Sequence, residues 1–350
     1  MTVTRPDAAL VHRLGTRWQE SVSAALGSDR AALLDFPGHK NVGDSLIWLG
    51  ERALLERAGT RVDYACEHHS LVPGALRARN GAHPVLLHGG GNFGDVWPDY
   101  QRFREDVARR FPDQRIVQLP QSIWYSDPAG AAAGSAALRA HRDLHLMVRD
   151  RRSLAEAERM FPDAAVSLVP DAAFGLGPLA RTGPAEVDVL CLMRDDREGV
   201  GHAATFRAAG MTVTDWGTHA FDHRAWTLKR RTVGAVRRVE SAATSRLTQP
   251  VLRATYDAMA RQNLQAGVRT FSRGRVVITD RLHGHILCLL LGIPHVVLDN
   301  SYGKIADFRE AWTADSVLTR TATTADEAVE AARGLLREFP AAAEQVRAAG

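Results

Sequence analysis

The chain has 350 residues and a formal net charge of +4, and 45% of its residues are hydrophobic and 24% are charged. A chain of this length is too long to fold around one ordinary hydrophobic core, which predicts two domains. The composition is typical of a soluble globular protein. No apolar run approaches the roughly 20 residues of a membrane span, and the N-terminus lacks the apolar core of a signal peptide, so we expect a cytoplasmic protein. The mildly basic charge favours anionic substrates or a membrane surface and supports nucleic acid only weakly.

The first predicted strand, Ala31–Phe36, leads into a polar loop that reads PGHKNVGD at Pro37–Asp44. Asp44 or Ser45 can cap the helix that follows, which is predicted to run to about Arg57. Two glycines, a lysine, a histidine and an asparagine before a helix N-terminus allow close approach of an anion or a sugar. The spacing is not that of a phosphate-binding P-loop, and an ordinary strand-to-helix turn explains the same residues.

A second glycine-rich loop follows the predicted strand Val85–Leu87 and reads HGGGNFGD at His88–Asp95. Three consecutive glycines at the carboxyl end of a strand expose backbone N–H groups, and a helix is predicted next at Asp99–Phe111. The other strands of this half also end in polar residues, and most precede a helix, which predicts a doubly wound parallel sheet. These strands are Val62–Ala65, Arg115–Leu119, Leu144–Val148 and Ala165–Val169.

A stretch rich in glycine and proline, Gly175–Pro184, predicts the link between two domains, which we place at residues 1–180 and 181–350. Strands and helices alternate in both halves, so the predicted fold class is α/β with a doubly wound sheet in each domain. We expect that the last helix, Ala325–Glu338, can cross back onto the first domain.

In the second half, the predicted strand Val187–Met193 ends at Arg194, and Met211–Thr214 forms the next strand. A basic segment at residues 219–250 follows, with little apolar periodicity. A solvated helix face explains this segment, and so does contact with anionic lipid or an acidic glycan. Its charge is concentrated in Lys229, Arg230, Arg231, Arg237 and Arg238.

The most informative stretch is a polar turn between a buried strand, Val276–Ile278, and a wholly apolar helix, Ile286–Leu291. The turn carries Arg281, His283 and His285. Ligands of a parallel sheet bind outside the carboxyl ends of its strands, where this turn lies. One arginine and two histidines at that place can hold an anion and move a proton. The alternative is structural, with the arginine paired to the preceding aspartate and the histidines capping the helix.

Six short motifs, spread in order along the chain, carry a resemblance to a known family. They are NVGDSLIWLGE at Asn41–Glu51, HGGGNFGD at His88–Asp95, LPQS at Leu119–Ser122, RDRRS at Arg149–Ser153, PD at Pro170–Asp171 and TDRLHGHILCLLLGIPHVVLDNSYGK at Thr279–Lys304. With these motifs the chain resembles the polysaccharide pyruvyl transferase family. The final DNSYGK, followed by Phe308 and Trp312, resembles the exopolysaccharide-biosynthesis branch.

The resemblance implies two Rossmann-like domains in a GT-B-like arrangement, with the acceptor on the N-terminal side of the cleft and phosphoenolpyruvate on the C-terminal side. It implies transfer of the carboxyvinyl unit to two hydroxyls of one sugar as a cyclic pyruvate ketal, with release of phosphate. The acceptor would be a cell-surface or exported polysaccharide or its lipid-linked precursor. We expect no cofactor, no metal and no nucleic-acid partner. From the basic segment we expect peripheral contact with the inner face of an anionic membrane.

By this resemblance, Arg194, Arg281 and His283 contact the donor. The planar fork of an arginine suits both the phosphate and the carboxylate of phosphoenolpyruvate. His283 can give or take a proton at neutral pH, and His285 is the second candidate for that role. The expected donor-binding residues are Arg194, Arg281, Leu282, Asn300 and Lys304, and the expected acceptor-binding residues are Asn41, Asp44, Gly90, Gly91, Asn92, Asp95 and Gln121.

Two other classes of function fit the same architecture, because a fold alone does not determine chemistry. One is a GT-B glycosyltransferase that uses a nucleotide-sugar donor, and the other is a non-catalytic protein that binds glycans or anions. The arginines and histidine named above favour an enzyme, since a binding module needs no proton shuttle. We further expect the loops Gly38–Asp44 and Gly89–Asp95 to face the turn Asp280–His285 across one groove.

Overall fold

The computed structural model describes residues 6–127, 131, 135–193, 202–216, 221–298 and 304–340. In this part of the chain the first parallel sheet is built from β1 (Arg30–Leu34), β2 (Arg61–Cys66), β3 (Val85–Leu87), β4 (Gly90–Gly94), β5 (Ile116–Trp124), β6 (Leu144–Val148) and β7 (Ala165–Leu168). The strand order is β2-β1-β3-β5-β6-β7. β3 and β4 both pair with β5, because the chain breaks the ladder only briefly at residues 88–89.

A second parallel sheet is built from β8 (Val187–Leu192), β9 (Thr212–Thr214), β10 (Gly274–Thr279), β11 (His295–Leu298) and β12 (Thr319–Ala322). Its order is β12-β11-β10-β8-β9. The two sheets confirm the predicted α/β fold with two Rossmann-like units, and the arrangement agrees with a GT-B-like architecture. Residues 169–186, all of which are described, contribute no strand to either sheet and contain the predicted link.

Helices cover the first sheet, and short polar residues cap several of them. The helices are α1 (Ala8–Leu26), α2 (Val42–Arg57), α3 (Pro73–Asn80), α4 (Pro98–Arg110), α5 (Ala136–Arg139) and α6 (Arg151–Met160), with a 3₁₀ helix at Ala172–Leu176. Asn41, rather than the predicted Asp44 or Ser45, caps α2, since its side-chain oxygen accepts a hydrogen bond from the Gly43 N–H at 2.8 Å. The Asp44 carboxylate is therefore not used as the cap.

The helices of the second half are α7 (Ala203–Ala208), α8 (His223–Arg238), α9 (Ser245–Ser272), α10 (Leu282–Leu291), α11 (Lys304–Trp312) and α12 (Ala325–Glu338). None of the helices in the described part of the chain combines the length and the apolar composition that a membrane crossing requires.

The antiparallel pair α8 and α9 packs on the first sheet, although it follows β9 of the second sheet in sequence. α9 contacts α2 and β2. Its buried residues Leu252, Tyr256, Met259 and Ala260 recur with helical spacing and join the core under the first sheet. Tyr256 stacks on Phe36, with ring centroids 4.3 Å apart. Among the described helices, these two therefore make the crossing that the sequence had assigned to the last helix, and α12 instead contacts β10, β11 and β12.

α10 joins the two halves of the molecule. Nearly all of its residues are buried, as the apolar run Ile286–Leu291 predicts. It shares one apolar cluster with Leu14 of α1, Val42 and Leu46 of α2, and Phe174 of the 3₁₀ helix. Because α10 begins at the polar turn, this packing holds the turn against the first half of the chain.

Candidate active site

The strand order of each sheet reverses at one place, and the loops expected to bind ligands lie there. In the first sheet β1 lies between β2 and β3, and in the second sheet β8 lies between β9 and β10. Open parallel sheets bind ligands outside the carboxyl ends of strands at such reversals. The loop after β1, the glycine-rich stretch after β3 and the turn after β10 therefore occupy ligand-binding edges of the two sheets.

The two edges meet where the first turn of α10 contacts the first turn of α2. The His283 ring lies against the backbone of Gly43, because a Cβ atom built on Gly43 would stand 2.6 Å from His283 Nδ1. Gly284 packs as closely on the end of β10, where a Cβ atom would stand 2.4 Å from Thr279 Oγ1. Both positions need glycine, because Cβ atoms do not approach other atoms this closely. The expected proximity of the PGHKNVGD loop and the polar turn is thus present in the structure.

His283 also faces a buried carboxylate. Its Nε2 lies 3.4 Å from Asp171 Oδ2, and Arg149 Nη1 donates a hydrogen bond to the same oxygen at 2.7 Å. Burial by itself raises the pKa of Asp171, but the adjacent His283 imidazole and the charge of Arg149 outweigh it and hold the pKa well below its usual range. Asp171 is therefore ionised at neutral pH and can orient the imidazole and stabilise its protonated form.

Arg149 connects this pair to the glycine-rich strand β4. Its Nε donates to Ser122 Oγ at 3.0 Å, and Ser122 Oγ donates to Asp150 Oδ2 at 2.6 Å. A Cβ atom on Gly91 would stand 3.0 Å from Arg149 Nη2, so the guanidinium lies directly on the glycine backbone. The motifs LPQS, RDRRS and PD thus meet in one buried network, a juxtaposition that the sequence analysis had not proposed.

Asp44 and Gly90, both expected acceptor-binding residues, form the neighbouring wall of the site. A Cβ atom on Gly90 would stand 3.9 Å from both Asp44 Oδ1 and Gln121 Nε2. Gly90 has a φ of 130°, a conformation that other residues rarely adopt. His39 Nε2 lies 3.6 Å from Asp44 Oδ2. Asp44, Gly90 and Gly91 therefore lie beside the His283 site, as expected for residues of one groove.

The other four residues expected to bind the acceptor form hydrogen bonds with other parts of the protein. The side-chain oxygen of Asn41 is used as the α2 cap. Gln121 is fully buried, and its Nε2 donates to His88 O at 3.1 Å and to Asn92 Oδ1 at 3.0 Å, so Gln121 and Asn92 shape the glycine-rich stretch from beneath. Asp95 Oδ2 accepts hydrogen bonds from the backbone and hydroxyl of Ser126 at 2.7 and 2.6 Å, which fixes a loop at the end of β5.

Arg281, an expected donor-binding residue, lies at the start of α10 with most of its side chain buried. Its Nη2 donates to Asp215 Oδ1 at 2.6 Å, and Asp215 follows β9. Its backbone N–H donates to Thr279 Oγ1 at 3.1 Å. The side chain of Leu282 packs in the apolar cluster with Val42, so only its backbone is available to a ligand. A donor phosphate at Arg281 would have to compete with or replace the Asp215 carboxylate.

His285 does not reach the groove, which corrects the expectation that it could act as a second catalytic histidine. It is completely buried, with Nδ1 2.7 Å from His295 Nε2 and Nε2 2.9 Å from Thr313 Oγ1. Burial, with the nearby His295 and Arg309, lowers the pKa of His285 well below its usual value. Two residues along a helix turn a side chain by about 200°, so His283 and His285 cannot share a face. His285 is a packing residue.

Three expected donor residues cannot be placed in the groove. Arg194 and Asn300 lie outside the described residues. Lys304 begins α11, and its side chain is outside the described part of the chain.

Two histidine–carboxylate pairs near the groove, each with a buried carboxylate, were missed by the sequence analysis. His88 Nδ1 lies 2.7 Å from Glu51 Oε2, and Glu51 Oε1 accepts the Gly89 N–H at 2.8 Å, which anchors the glycine-rich stretch to α2. Burial lowers the pKa of His88, but the charge of Glu51 and its hydrogen bond raise the net value above the usual one. Because Glu51 lies seven residues, about two turns, along α2 from Asp44, helical periodicity within the NVGDSLIWLGE motif could have suggested that the two carboxylates share a face.

The second pair lies at the end of β1. Asp35 is buried and has a φ of 73°, and its Oδ1 lies 3.5 Å from His68 Nδ1. The neighbouring Asp35 carboxylate raises the pKa of His68. The His68 ring stacks at a tilt on Tyr100, with centroids 4.4 Å apart, and the neighbouring Trp97 is half exposed. A left-handed backbone at a non-glycine residue is costly and is characteristic of functional sites. The predicted strand Ala31–Phe36 included Asp35, so the sequence analysis expected an extended backbone there and missed the left-handed conformation.

Fold and site together define a two-domain α/β protein with an ionised carboxylate, an imidazole and arginines at the junction of two Rossmann-like sheets. The sequence model of the family described as polysaccharide pyruvyl transferase matches residues 41–302. The chain belongs to the polysaccharide pyruvyl transferase family.

Similar proteins agree with this assignment. The chain is 33% identical over 331 residues to pyruvyl transferase 1 of Schizosaccharomyces pombe, covering 89% of this chain and 77% of that protein. It is 32% identical over 281 residues to the putative pyruvyl transferase EpsO of Bacillus subtilis, covering 79% of this chain and 84% of that protein. The crystal structure of the uncharacterised protein KP1_0663 from Klebsiella pneumoniae matches with a TM-score of 0.56 at 15% identity, over 89% of this chain and 99% of that one, and supports the fold alone.

Proposed function

We propose that this transferase moves the carboxyvinyl unit of phosphoenolpyruvate onto two hydroxyls of one sugar of a polysaccharide or its lipid-linked precursor. Two bonds form between the central carbon of the donor and the sugar oxygens, and the bond from that carbon to the phosphate oxygen breaks. Of the two hydroxyl protons, one ends on the methylene carbon, which becomes a methyl group, and the other leaves with phosphate. The reaction balances without a redox cofactor, and we place it in the cytoplasm.

The observation that carries the proposal is the position of His283. Its ring lies between the Asp171–Arg149 ion pair and the backbone of Gly43, next to Arg281 at the start of α10. An ionised aspartate behind an imidazole supports proton transfer in both directions. His283 can therefore protonate the methylene carbon and then take the proton of an attacking hydroxyl.

On the donor side, Arg281 and the N-terminus of α10 suit an anion. Backbone N–H groups at a helix start attract negative charge, and an arginine fork binds phosphate or carboxylate oxygens in pairs. Arg194, which follows β8 by two residues in the sequence, is proposed as the second arginine, since β8 is the neighbour of β10. Arg281 and Arg194 would then bind the two anionic ends of phosphoenolpyruvate.

On the acceptor side, Asp44 and the glycine backbone at Gly90 and Gly91 offer a carboxylate and close backbone approach to sugar hydroxyls. The Asp35–His68–Tyr100 group and the exposed Trp97 extend this wall, because an aromatic face and buried polar groups are features of sites that bind sugars. All of these residues belong to the first half, so the groove would hold the acceptor against the first sheet.

The proposal is tested by incubating the purified protein with phosphoenolpyruvate and a panel of free and lipid-linked oligosaccharides. We expect acceptor-dependent phosphate release and a product with the mass of acceptor plus pyruvate less one water. His283→Asn should abolish most of the release, whereas His12→Asn, on the exposed face of α1, should leave it unchanged. Release of nucleotide from a nucleotide sugar, without reaction of phosphoenolpyruvate, would identify a glycosyltransferase instead. Acceptor binding without turnover of either donor would identify a binding protein.

A further inference from the structure

The pair of helices formed by residues 223–272, here called the hairpin, exposes an unusual number of large apolar side chains. Leu228 and Leu247 are 66% and 79% exposed, and Val239 and Val251 are also exposed. Among the described residues, the other large apolar side chains with comparable exposure are Val96, Trp97 and Val317, which are elsewhere in the sequence. An apolar cluster of this kind on a surface indicates an interaction site.

The charges of the hairpin are almost all of one sign. Its only acidic residues, Glu240 and Asp257, are turned inward, where Glu240 accepts a hydrogen bond from Gln249 and Asp257 accepts one from Trp48. Exposed arginines surround the apolar residues on both helices and at their connection. They are Arg224, Arg231, Arg238, Arg246 and Arg261.

Other basic residues of the hairpin differ from these exposed arginines because their side chains bond to other parts of the protein. Arg230 and Arg237 both donate to the buried Glu67 at the end of β2, and Lys229 donates to Gln262 at 2.7 Å. The two arginine contacts fix the hairpin to the first sheet, and the lysine contact joins its two helices. The basic stretch seen in the sequence therefore contains two arginines that face the first sheet, Arg230 and Arg237, and two that are exposed, Arg231 and Arg238.

We propose that the outward face of the hairpin docks on an anionic lipid bilayer. Between the two helices runs a shallow groove of about 540 Å³, lined by Leu228, Thr232, Pro250, Val251, Ala254 and Ala258. Apolar side chains rimmed by arginines match the boundary between acyl chains and anionic headgroups. A second copy of the chain fits less well, because a symmetric contact would set arginine against arginine with no exposed carboxylate on the hairpin to compensate.

Docking at this face would place the candidate active site, with His39 and Asp44, near the membrane. The start of α8 touches the loop after β1, where Lys40 Nζ lies 3.0 Å from His223 Nδ1. Asn263 of α9 donates to His39 O at 3.0 Å, and His39 lies beside Asp44. Leu228 lies about 7 Å along α8 from His223. Binding itself is independent of the proposed function, whereas its use for lipid-linked acceptors rests on that function.

Co-sedimentation with vesicles of phosphatidylcholine alone, and of phosphatidylcholine mixed with phosphatidylserine, tests the proposal. We expect binding to the mixed vesicles only, weakened by salt. Replacing Arg231, Arg238 and Arg246 with Gln should weaken it on the order of 100-fold, at about fivefold for each arginine. Replacing Leu228, Leu247 and Val251 with Ser should weaken it about tenfold or more.

Matched controls come from exposed residues elsewhere. Val317→Ser, and Arg333→Gln with Arg337→Gln on α12, should bind as the wild type does. Thermal melting establishes that each variant is folded. The proposal is overturned if phosphatidylserine does not increase the vesicle binding of the wild type, or if folded hairpin variants bind the mixed vesicles as well as the controls do. It is also overturned if the serine variants dissociate an oligomer without changing vesicle binding, because a second copy would then cover this face.

Discussion

His283 and His285 stand two residues apart on α10, and about 200° of helical rotation separates their side chains. One ring lies in the groove beside Asp171, and the other is sealed between His295 and Thr313. A buried histidine with a lowered pKa stays neutral and contributes packing and hydrogen bonds. At the scale of single residues, orientation on the helix therefore separates a candidate for proton transfer from a structural residue.

This assignment predicts the behaviour of His285→Gln. For folded protein we expect a kcat within about twofold of the wild type, because the residue does not reach the groove. The free energy of unfolding at pH 7 should fall by about 1–3 kcal/mol, since buried hydrogen bonds are lost or weakened. Steady-state phosphate release and denaturant titrations measure the two quantities. A kcat lowered on the order of 100-fold would return His285 to the catalytic candidates.

The buried pair His285 and His295 predicts that the stability of the protein depends on pH. The folded-state pKa of His285 is lowered, and burial lowers the pKa of His295 to about 4. Below the unfolded value of about 6.5 the unfolded chain takes up protons that the folded chain does not, so the free energy of unfolding falls as pH falls from about 6.5 to 4. Denaturant titrations across this range should show a shallower decline in His285→Gln than in the wild type. Equal slopes would show that the buried imidazole does not stay neutral.

At the scale of elements, the contact between the first turns of α2 and α10 holds the groove together. Gly43 leaves room for the His283 ring, and Val42, Leu46 and Leu282 pack beside it in one apolar cluster. An added methyl group on Gly43 would push the ring out of position. Small displacements of a catalytic group can lower a rate on the order of 100-fold.

Gly43→Ala is therefore expected to lower kcat at least tenfold while the protein stays folded. The matched control is Gly234→Ala in the middle of α8, where an added Cβ meets no atom within 4 Å. That variant should keep full activity and gain up to about 1 kcal/mol of stability, because alanine favours a helix. Phosphate release and thermal unfolding measure both variants. Normal kcat in Gly43→Ala would mean that the contact with His283 is not needed for turnover.

Sequence patterns predicted the elements of this groove better than their side-chain partners. Strand-to-helix alternation located the turn at Arg281 and the glycine-rich loop. The hydrophobic periods of a strand and of a helix are local properties of the sequence, so both elements could be recognised. The ion pair of Arg149 and Asp171 was not predicted, since it depends on which strands are neighbours in the sheet. Asp35 was hidden because a left-handed residue at a strand end has no signature in hydrophobic periodicity.

At the scale of the whole molecule, the two parallel sheets follow from the repeated alternation of strands and helices, whereas their strand orders were not predicted. The return of α8 and α9 to the first sheet was not predicted, because a helix pattern shows which face is buried and not which sheet covers it. This crossing fixes the loop that begins the groove, through Asn263 and its bond to His39. The groove is thus built from both halves of the chain, with the proposed acceptor and donor on opposite sides.

The most direct measurement of the central claim compares Arg281→Lys and His283→Asn in phosphate release from phosphoenolpyruvate at saturating acceptor. A lysine keeps the charge but loses the fork, so Arg281→Lys should chiefly raise the KM for phosphoenolpyruvate. An asparagine cannot transfer a proton near pH 7, so His283→Asn should lower kcat by about 10²–10⁴. Arg13→Lys, exposed on α1, and His12→Asn serve as controls and should match the wild type. Folded variants at both positions with wild-type KM and kcat would contradict the account, because the donor and the proton path would then lie outside this groove.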